Sequence, residues 1–236
     1  MVQLYKSCKA VCLVLLLITS RQTIKAQTFT PRIIRINAHT GGFYEYLPEA
    51  YQPTGTPYPL IVYLHGQGHV GDGSSELNKL LTDALPKLID DGEFPNSFTV
   101  NGRTFRFIVI APQYNDWPNA GDVEDVINYA VNSYNVDESR IYVTGMSMGG
   151  GATWDYAGNS LAFAKKIAAV VPVCGASVPN NFKAKNMADA NLPVWATHNQ
   201  DDGQVEVENT DGYINLINSN SPPPTPLARK TIFPVS

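Results

Sequence analysis

Cysteine is scarce in this 236-residue chain, which has three, at Cys8, Cys12 and Cys174. That count excludes a disulfide scaffold. Histidine is nearly as rare, at His39, His65, His69 and His198, and the four form no metal-ligand cluster with cysteine or carboxylate. There is no Lys/Arg block. The 17 basic and 21 acidic side chains give a formal charge of −4 and a pI near 5.5, which argues against nucleic acid or an anionic membrane surface as the main partner. Gly71-Asp72-Gly73 lacks the rest of any phosphate-binding fingerprint, so no nucleotide or other cofactor is implied. With 44% hydrophobic and 16% charged residues, what remains is a globular composition, with no internal repeat.

The first 26 residues read as an export signal. Lys6 and Lys9 supply the positive start, Ala10 to Thr19 the apolar segment, and Ile24-Lys25-Ala26 a small residue before a cut at Gln27. The apolar run is too short to cross a bilayer core of about 30 Å, and Cys8 and Cys12 are misplaced for a lipoprotein, so no membrane anchor is expected. Removing the segment takes away Lys6, Lys9, Arg21 and Lys25 and leaves Cys174 as a lone thiol, read as a small buried hydrophobe. The expected location is extracellular or periplasmic.

Residues 27–236 alternate strand and helix patterns. Strands are expected at Arg32 to Ile36, Phe43 to Leu47, Leu60 to Leu64, Phe107 to Ala111, Arg140 to Thr144, Ile167 to Val173, Pro193 to Thr197 and Arg229 to Pro234. Helices are expected at Ser75 to Asp91, Asp122 to Asn135, Met148 to Gly158, Asn181 to Ala190 and Val207 to Asn218. This order predicts one α/β domain: a mostly parallel sheet with helices on both faces and an antiparallel N-terminal edge. Asn96 to Arg106 reads as a hairpin insertion turning at Asn101-Gly102.

Gly145-Met146-Ser147-Met148-Gly149 lies between an expected strand and an expected helix. A sharp turn in that context exposes a hydroxyl above the sheet, and the following helix N-terminus favours developing negative charge, so Ser147 is the candidate nucleophile. His65-Gly66-Gln67-Gly68 ends an earlier strand, and amides of Gln67 and Met148 could together hold an oxyanion. His65 reads as a structural histidine and His69 as a solvated loop residue. Asp202 follows a late strand, where a triad carboxylate belongs, and Asp201 reads as its solvated neighbour. Trp117, Gln113 and Trp154 are candidate substrate contacts, although core packing is the commoner fate for Trp154.

Together these motifs resemble the α/β-hydrolase superfamily. More narrowly, the chain is similar to secreted esterases labelled predicted peptidases, related to polyhydroxybutyrate depolymerase-type and feruloyl or acetylxylan esterases. The matching stretches are Tyr63 to Gly68, Ile110 to Gln113, Arg140 to Gly150, Val171 to Gly175 and Leu192 to Ala196. The resemblance implies Ser147 as nucleophile, Asp202 as the acid, and carbohydrate-linked acetyl or feruloyl esters as substrates. Two departures stand out. His198-Asn199 replaces the family's His-Gly, and no histidine follows Asp202, where the family's catalytic histidine lies after the last core strand. The chain therefore reads as a fragment of an α/β-hydrolase domain, cut before the catalytic-histidine loop and the closing helix, whose loss would expose apolar surface. The alternatives are a serine peptidase and a catalytically inactive hydrolase fold that binds a glycan or partner.

Overall fold

The computed structural model describes residues 28–235, so the segment read as an export signal lies outside the described residues. The described chain runs β1 (Thr28–Arg32), β2 (Thr40–Leu47), β3 (Tyr58–Leu64), α1 (Ala84–Asp90), β4 (Phe98–Val100), β5 (Arg103–Phe105), β6 (Ile108–Tyr114), α2 (Ala120–Ser133), β7 (Val136–Met146), α3 (Met148–Asn159), α4 (Leu161–Lys166), β8 (Ala169–Val173), α5 (Asn181–Asp189), β9 (Trp195–Asn199), α6 (Val207–Asn218) and β10 (Arg229–Phe233). Eight strands form one sheet in the order β1-β2-β6-β3-β7-β8-β9-β10. The first two are antiparallel to their neighbours, and β6, β3 and β7 to β10 are parallel. Among the described residues no helix is long and apolar enough to cross a membrane.

The near-continuous apolar runs of β3, β6 and β7 are those of strands covered on both sides. Leu60, Val62, Leu64, Ile108, Ile110, Ile141 and Val143 face the main core, where α2 contributes Val123, Val126, Ile127 and Ala130. Asn119 caps that helix: its side chain accepts from the amides of Gly121 and Asp122, and Asp122 answers with a bond from the Asn119 amide. At the antiparallel edge, buried Glu45 takes bonds from Arg32 and from the Tyr134 hydroxyl, which ties β1, β2 and the end of α2 together.

The opposite face is covered unevenly. Leu77 and Leu80 of a short 3-10 helix, with Ile89 of α1, pack on Tyr44, Tyr63, Ala111, Tyr46 and Val109 of β2, β3 and β6. Further along, Tyr142, Ala169, Val171, Trp195 and Thr231 line an open groove of about 720 Å³, and Trp195 is 54% exposed. The described helices meet β8 and β9 on the other side, against Val170, Val194 and Ala196.

The expected elements are present with three differences, one being that the helix anticipated at Ser75 to Asp91 is a 3-10 stretch, Leu77–Thr82, and α1, parted by extended backbone at Asp83. The strand anticipated at Arg32 to Ile36 lies earlier, because Asn37 turns the chain: its side chain accepts from the His39 and Thr40 amides and leaves Ile33 and Ile34 exposed. A further helix, α4, stands before β8, with the Ser160 hydroxyl capping the Phe163 amide. The anticipated hairpin forms from β4 and β5 and turns through positive φ at Asn101 and Gly102.

Candidate active site

β7 delivers the chain to Ser147 at the C-terminal edge of the sheet, and α3 begins at the next residue. Ser147 adopts φ 56°, ψ −114°, a conformation that costs a non-glycine residue about 1–3 kcal/mol. Three backbone bonds fix the turn. The Ser147 amide donates to the Val173 carbonyl at 2.9 Å, and the Ser147 carbonyl accepts from Gly151 and Ala176 at 2.9 and 3.0 Å. Close approach of α3 to β3 completes the elbow: a Cβ on Gly149 would lie 2.0 Å from the Leu64 carbonyl oxygen, so only glycine fits. The Ser147 side chain remains half-exposed, as an attacking hydroxyl requires.

The two expected oxyanion donors are brought to this turn. Met148 opens α3, so its N–H has no carbonyl of its own helix to bind. Gln67 opens a single 3-10 turn after β3, in which the Gly66 carbonyl accepts from His69 at 3.0 Å. A Cβ on Gly66 would be 3.8 Å from the Ser147 Cβ, which sets this turn against the nucleophile. His65 anchors it from below. Its Nδ1 donates to the Gly66 carbonyl at 2.7 Å, and its Nε2 accepts the Tyr114 amide at 2.9 Å. Burial, with His69 nearby, lowers its pKa to about 4 against the help of the Gly66 carbonyl, so the imidazole is neutral at pH 7.

Asp202 follows β9, on the same sheet edge. Its Oδ1 accepts from the Gln204 and Val205 amides at 2.9 and 3.0 Å, and its Oδ2 lies 3.6 Å from His198 Nε2. Partial burial works against the carboxylate, but the Val205 and Gln204 amides and His198 outweigh it and hold its pKa below the ordinary value. His198 is not a base for Ser147. It is buried with Nε2 donating to the Val205 carbonyl at 2.9 Å and Nδ1 paired to Thr210 Oγ1 at 2.8 Å. His39 pairs with Asp122 at 2.9 Å, away from the site. Among the described residues no histidine bonds the Ser147 hydroxyl.

Three expected placements need correction. Gln113 is fully buried and spends its amide on the chain: its Nε2 donates to the His69 and Glu76 carbonyls, and its Oε1 accepts from the Gly73 amide. It holds the loop after the oxyanion turn and cannot touch a substrate. Trp154 is 0% exposed, stacked on Tyr213 at 4.2 Å and wedged under Gly175, so it belongs to the core. His69, expected in solvent, is buried, with Nε2 bonded to Thr82 Oγ1 at 2.9 Å and 3.4 Å from an Asp83 oxygen. Trp117 fares differently. It is 42% exposed, and its ring reaches within 3.1 Å of a Cβ placed on Gly151, one turn past Ser147.

The sequence reading of Cys174 as a small buried hydrophobe missed its place beside the site. Cys174 is half-buried at the end of β8, with φ 37°, and its amide donates to the Thr197 carbonyl at 2.8 Å. Burial pushes its thiol pKa up, the charge of Asp202 adds to the rise, and the Ser147 amide opposes it. The signal was its place directly after the strand that neighbours the nucleophile's.

Comparison with known proteins agrees with this architecture. The dienelactone hydrolase family model matches residues 115–223. Over 112 residues the chain is 30% identical to a bifunctional acetylxylan esterase/xylanase of Neocallimastix patriciarum, an alignment that covers 48% of this chain and 16% of that protein. The chain thus spans about one-sixth of the length of that curated relative. Among solved structures, a thermostable esterase superposes with a TM-score of 0.59 at 24% identity, over 90% of this chain and 56% of the other. The feruloyl esterase module of Clostridium thermocellum, solved as a serine-to-alanine mutant complexed with sinapinate, gives 0.61 at 18% identity, over 89% and 82%. The family match is confined to residues 115–223, and the solved structures share the α/β-hydrolase fold with this chain.

Proposed function

We propose that this protein is an exported serine carboxylic-ester hydrolase. The observation that carries the reading is the elbow: a half-exposed serine in a strained turn between β7 and α3, flanked by two amides suited to an oxyanion. Ser147 attacks the ester carbonyl, the Gln67 and Met148 amides take up the negative charge, the alcohol leaves, and water hydrolyses the acyl-enzyme. Asp202, ionised at neutral pH and on the same sheet edge, orients the histidine that takes and returns the proton. Among the described residues the four histidines are engaged elsewhere, and none takes that position. Esters of acetyl or feruloyl groups on carbohydrate are the proposed substrates, supported by the likeness to an acetylxylan esterase/xylanase and to a feruloyl esterase module. Trp117 stands where it would meet the substrate.

One measurement tests this. The complete gene product should hydrolyse p-nitrophenyl acetate, and S147A should lower that rate by at least about 10³-fold. Equal turnover by the variant refutes the assignment of Ser147.

A further inference from the structure

At the opposite end of the sheet from Ser147, the β4–β5 hairpin folds over the start of β3 and encloses a pocket of about 300 Å³. It is lined by Arg103, Phe105 and Arg106 from the hairpin side, by Tyr58 from β3, and by Arg140 from β7. Three of the chain's seven arginines therefore meet at one pocket in a protein whose formal charge is −4. Phe105 sits between two of them, with the Arg103 and Arg140 guanidinium carbons 5.9 and 5.4 Å from its ring centroid. Stacking of this kind holds a guanidinium in place without using its N–H groups. Arg140 is partly neutralised: its Nε bonds Asp137 at 2.7 Å and its Nη2 donates to the Pro57 carbonyl at 3.4 Å. Arg103 and Arg106 make no hydrogen bond or ion pair with any described residue, so their donor forks are free.

We propose that this pocket binds a carboxylated sugar, a uronate residue of an acidic glycan. Each part of the site matches one part of such a ligand. Arginine presents paired N–H donors that fit a carboxylate bidentately, and the Tyr58 ring offers an apolar surface to a pyranose. The volume is at the lower end for ligand pockets, which suits one sugar unit rather than a long segment. Arg140 and Ser147 are seven residues apart along β7, so roughly 20 Å separate this pocket from the nucleophile. A polysaccharide held here by a uronate would be anchored at a distance from the ester being cleaved. The inference deepens the carbohydrate-ester reading and rests on it for the choice of a sugar acid over other carboxylates.

The test is calorimetric titration of the full chain with trigalacturonate, with neutral xylotriose, and with inorganic phosphate as a simple anion. Trigalacturonate should bind, weaken as salt rises, and bind at least about tenfold more weakly to R103A/R106A. That variant alters exposed side chains and should melt with the wild type, and R103K/R106K should recover only part of the affinity because charge returns without the fork. Three results would each overturn the proposal: equal binding of xylotriose, equal binding of phosphate, or undiminished trigalacturonate binding by R103A/R106A. Ester turnover is read separately. A protein that binds the oligouronate and cleaves no ester refutes the esterase reading alone, and one that cleaves esters without binding it refutes this site alone.

Discussion

Replacing Gly149 with alanine sets two effects against each other. In a helix, alanine is favoured over glycine by up to about 1 kcal/mol, so propensity alone calls for stabilisation. The added Cβ, however, would meet the Leu64 carbonyl oxygen at 2.0 Å, the Leu64 carbonyl carbon at 2.4 Å and the His65 carbonyl oxygen at 2.8 Å. These are backbone atoms of β3 and its turn, and no rotamer change can clear them. The helix or the strand must shift by about an ångström, and overpacking of that kind costs about 1–3 kcal/mol or more. The clash wins, with a net loss of about 2 kcal/mol, which lowers Tm by about 4–8 °C in a domain of this size. Gly68 provides the control: it lies one residue past the oxyanion turn's first position, and a Cβ there meets nothing within 4 Å. G68A should therefore melt within about 0.5 kcal/mol of the wild type. Thermal unfolding followed by circular dichroism measures both. If G149A melts with the wild type, or G68A loses as much, the close approach of β3 and α3 does not govern the elbow.

Three further outcomes follow from the same structure. S147G should raise Tm while abolishing turnover, because it releases φ 56° strain that costs about 1–3 kcal/mol; an unchanged or lower Tm contradicts the strained elbow. His65 has its pKa depressed from 6.5 to about 4, so the unfolded chain binds its proton more readily than the folded one. Its contribution, about 3 kcal/mol, is complete above pH 6.5 and lost as pH falls towards 4, and urea titrations should show a slope over that window that H65Q flattens. W154A should cost about 3–5 kcal/mol, since it removes a fully buried ring stacked on Tyr213; a loss under 1 kcal/mol in denaturant titration would place that ring outside the core.

Much of the fold could be read from residue order because a parallel sheet writes itself as apolar runs. Leu60 to Leu64 and Ile108 to Ala111 carry few polar residues, and both are strands. The Gly-x-Ser-x-Gly pattern was legible for a related reason: strand, turn and helix impose glycine on either side of the serine, and Gly149 shows the contact that demands it. Long-range bonding was not legible. Nothing local distinguishes Gln113, at the end of a strand facing the site, from a ligand contact, since its three partners, His69, Gly73 and Glu76, lie about forty residues away. Trp117 and Trp154 posed the same problem, and tertiary packing alone separates the exposed ring from the buried one. Ile33 and Ile34 misled for the opposite reason, because β-branched residues suggest a strand even where Asn37 turns the chain away from the sheet.

The strand order also has a consequence for how the chain is made. β3 lies between β6 and β7, yet it is synthesised before either of them. Its run Tyr58–Leu64, almost wholly apolar, leaves the ribosome with neither neighbour available, and β7 is complete only after residue 146. At translation rates of 5–20 residues per second, the 82 residues from Leu64 to Met146 take roughly 4–16 s. Both edges of β3 are open until β6 is complete at Tyr114, and the β7 edge stays open to solvent or to another nascent chain for the whole interval. The strand that later supports the nucleophile's turn is thus a natural early client for a chaperone, and slowing its neighbours' synthesis should raise aggregation more than slowing any later part of the chain.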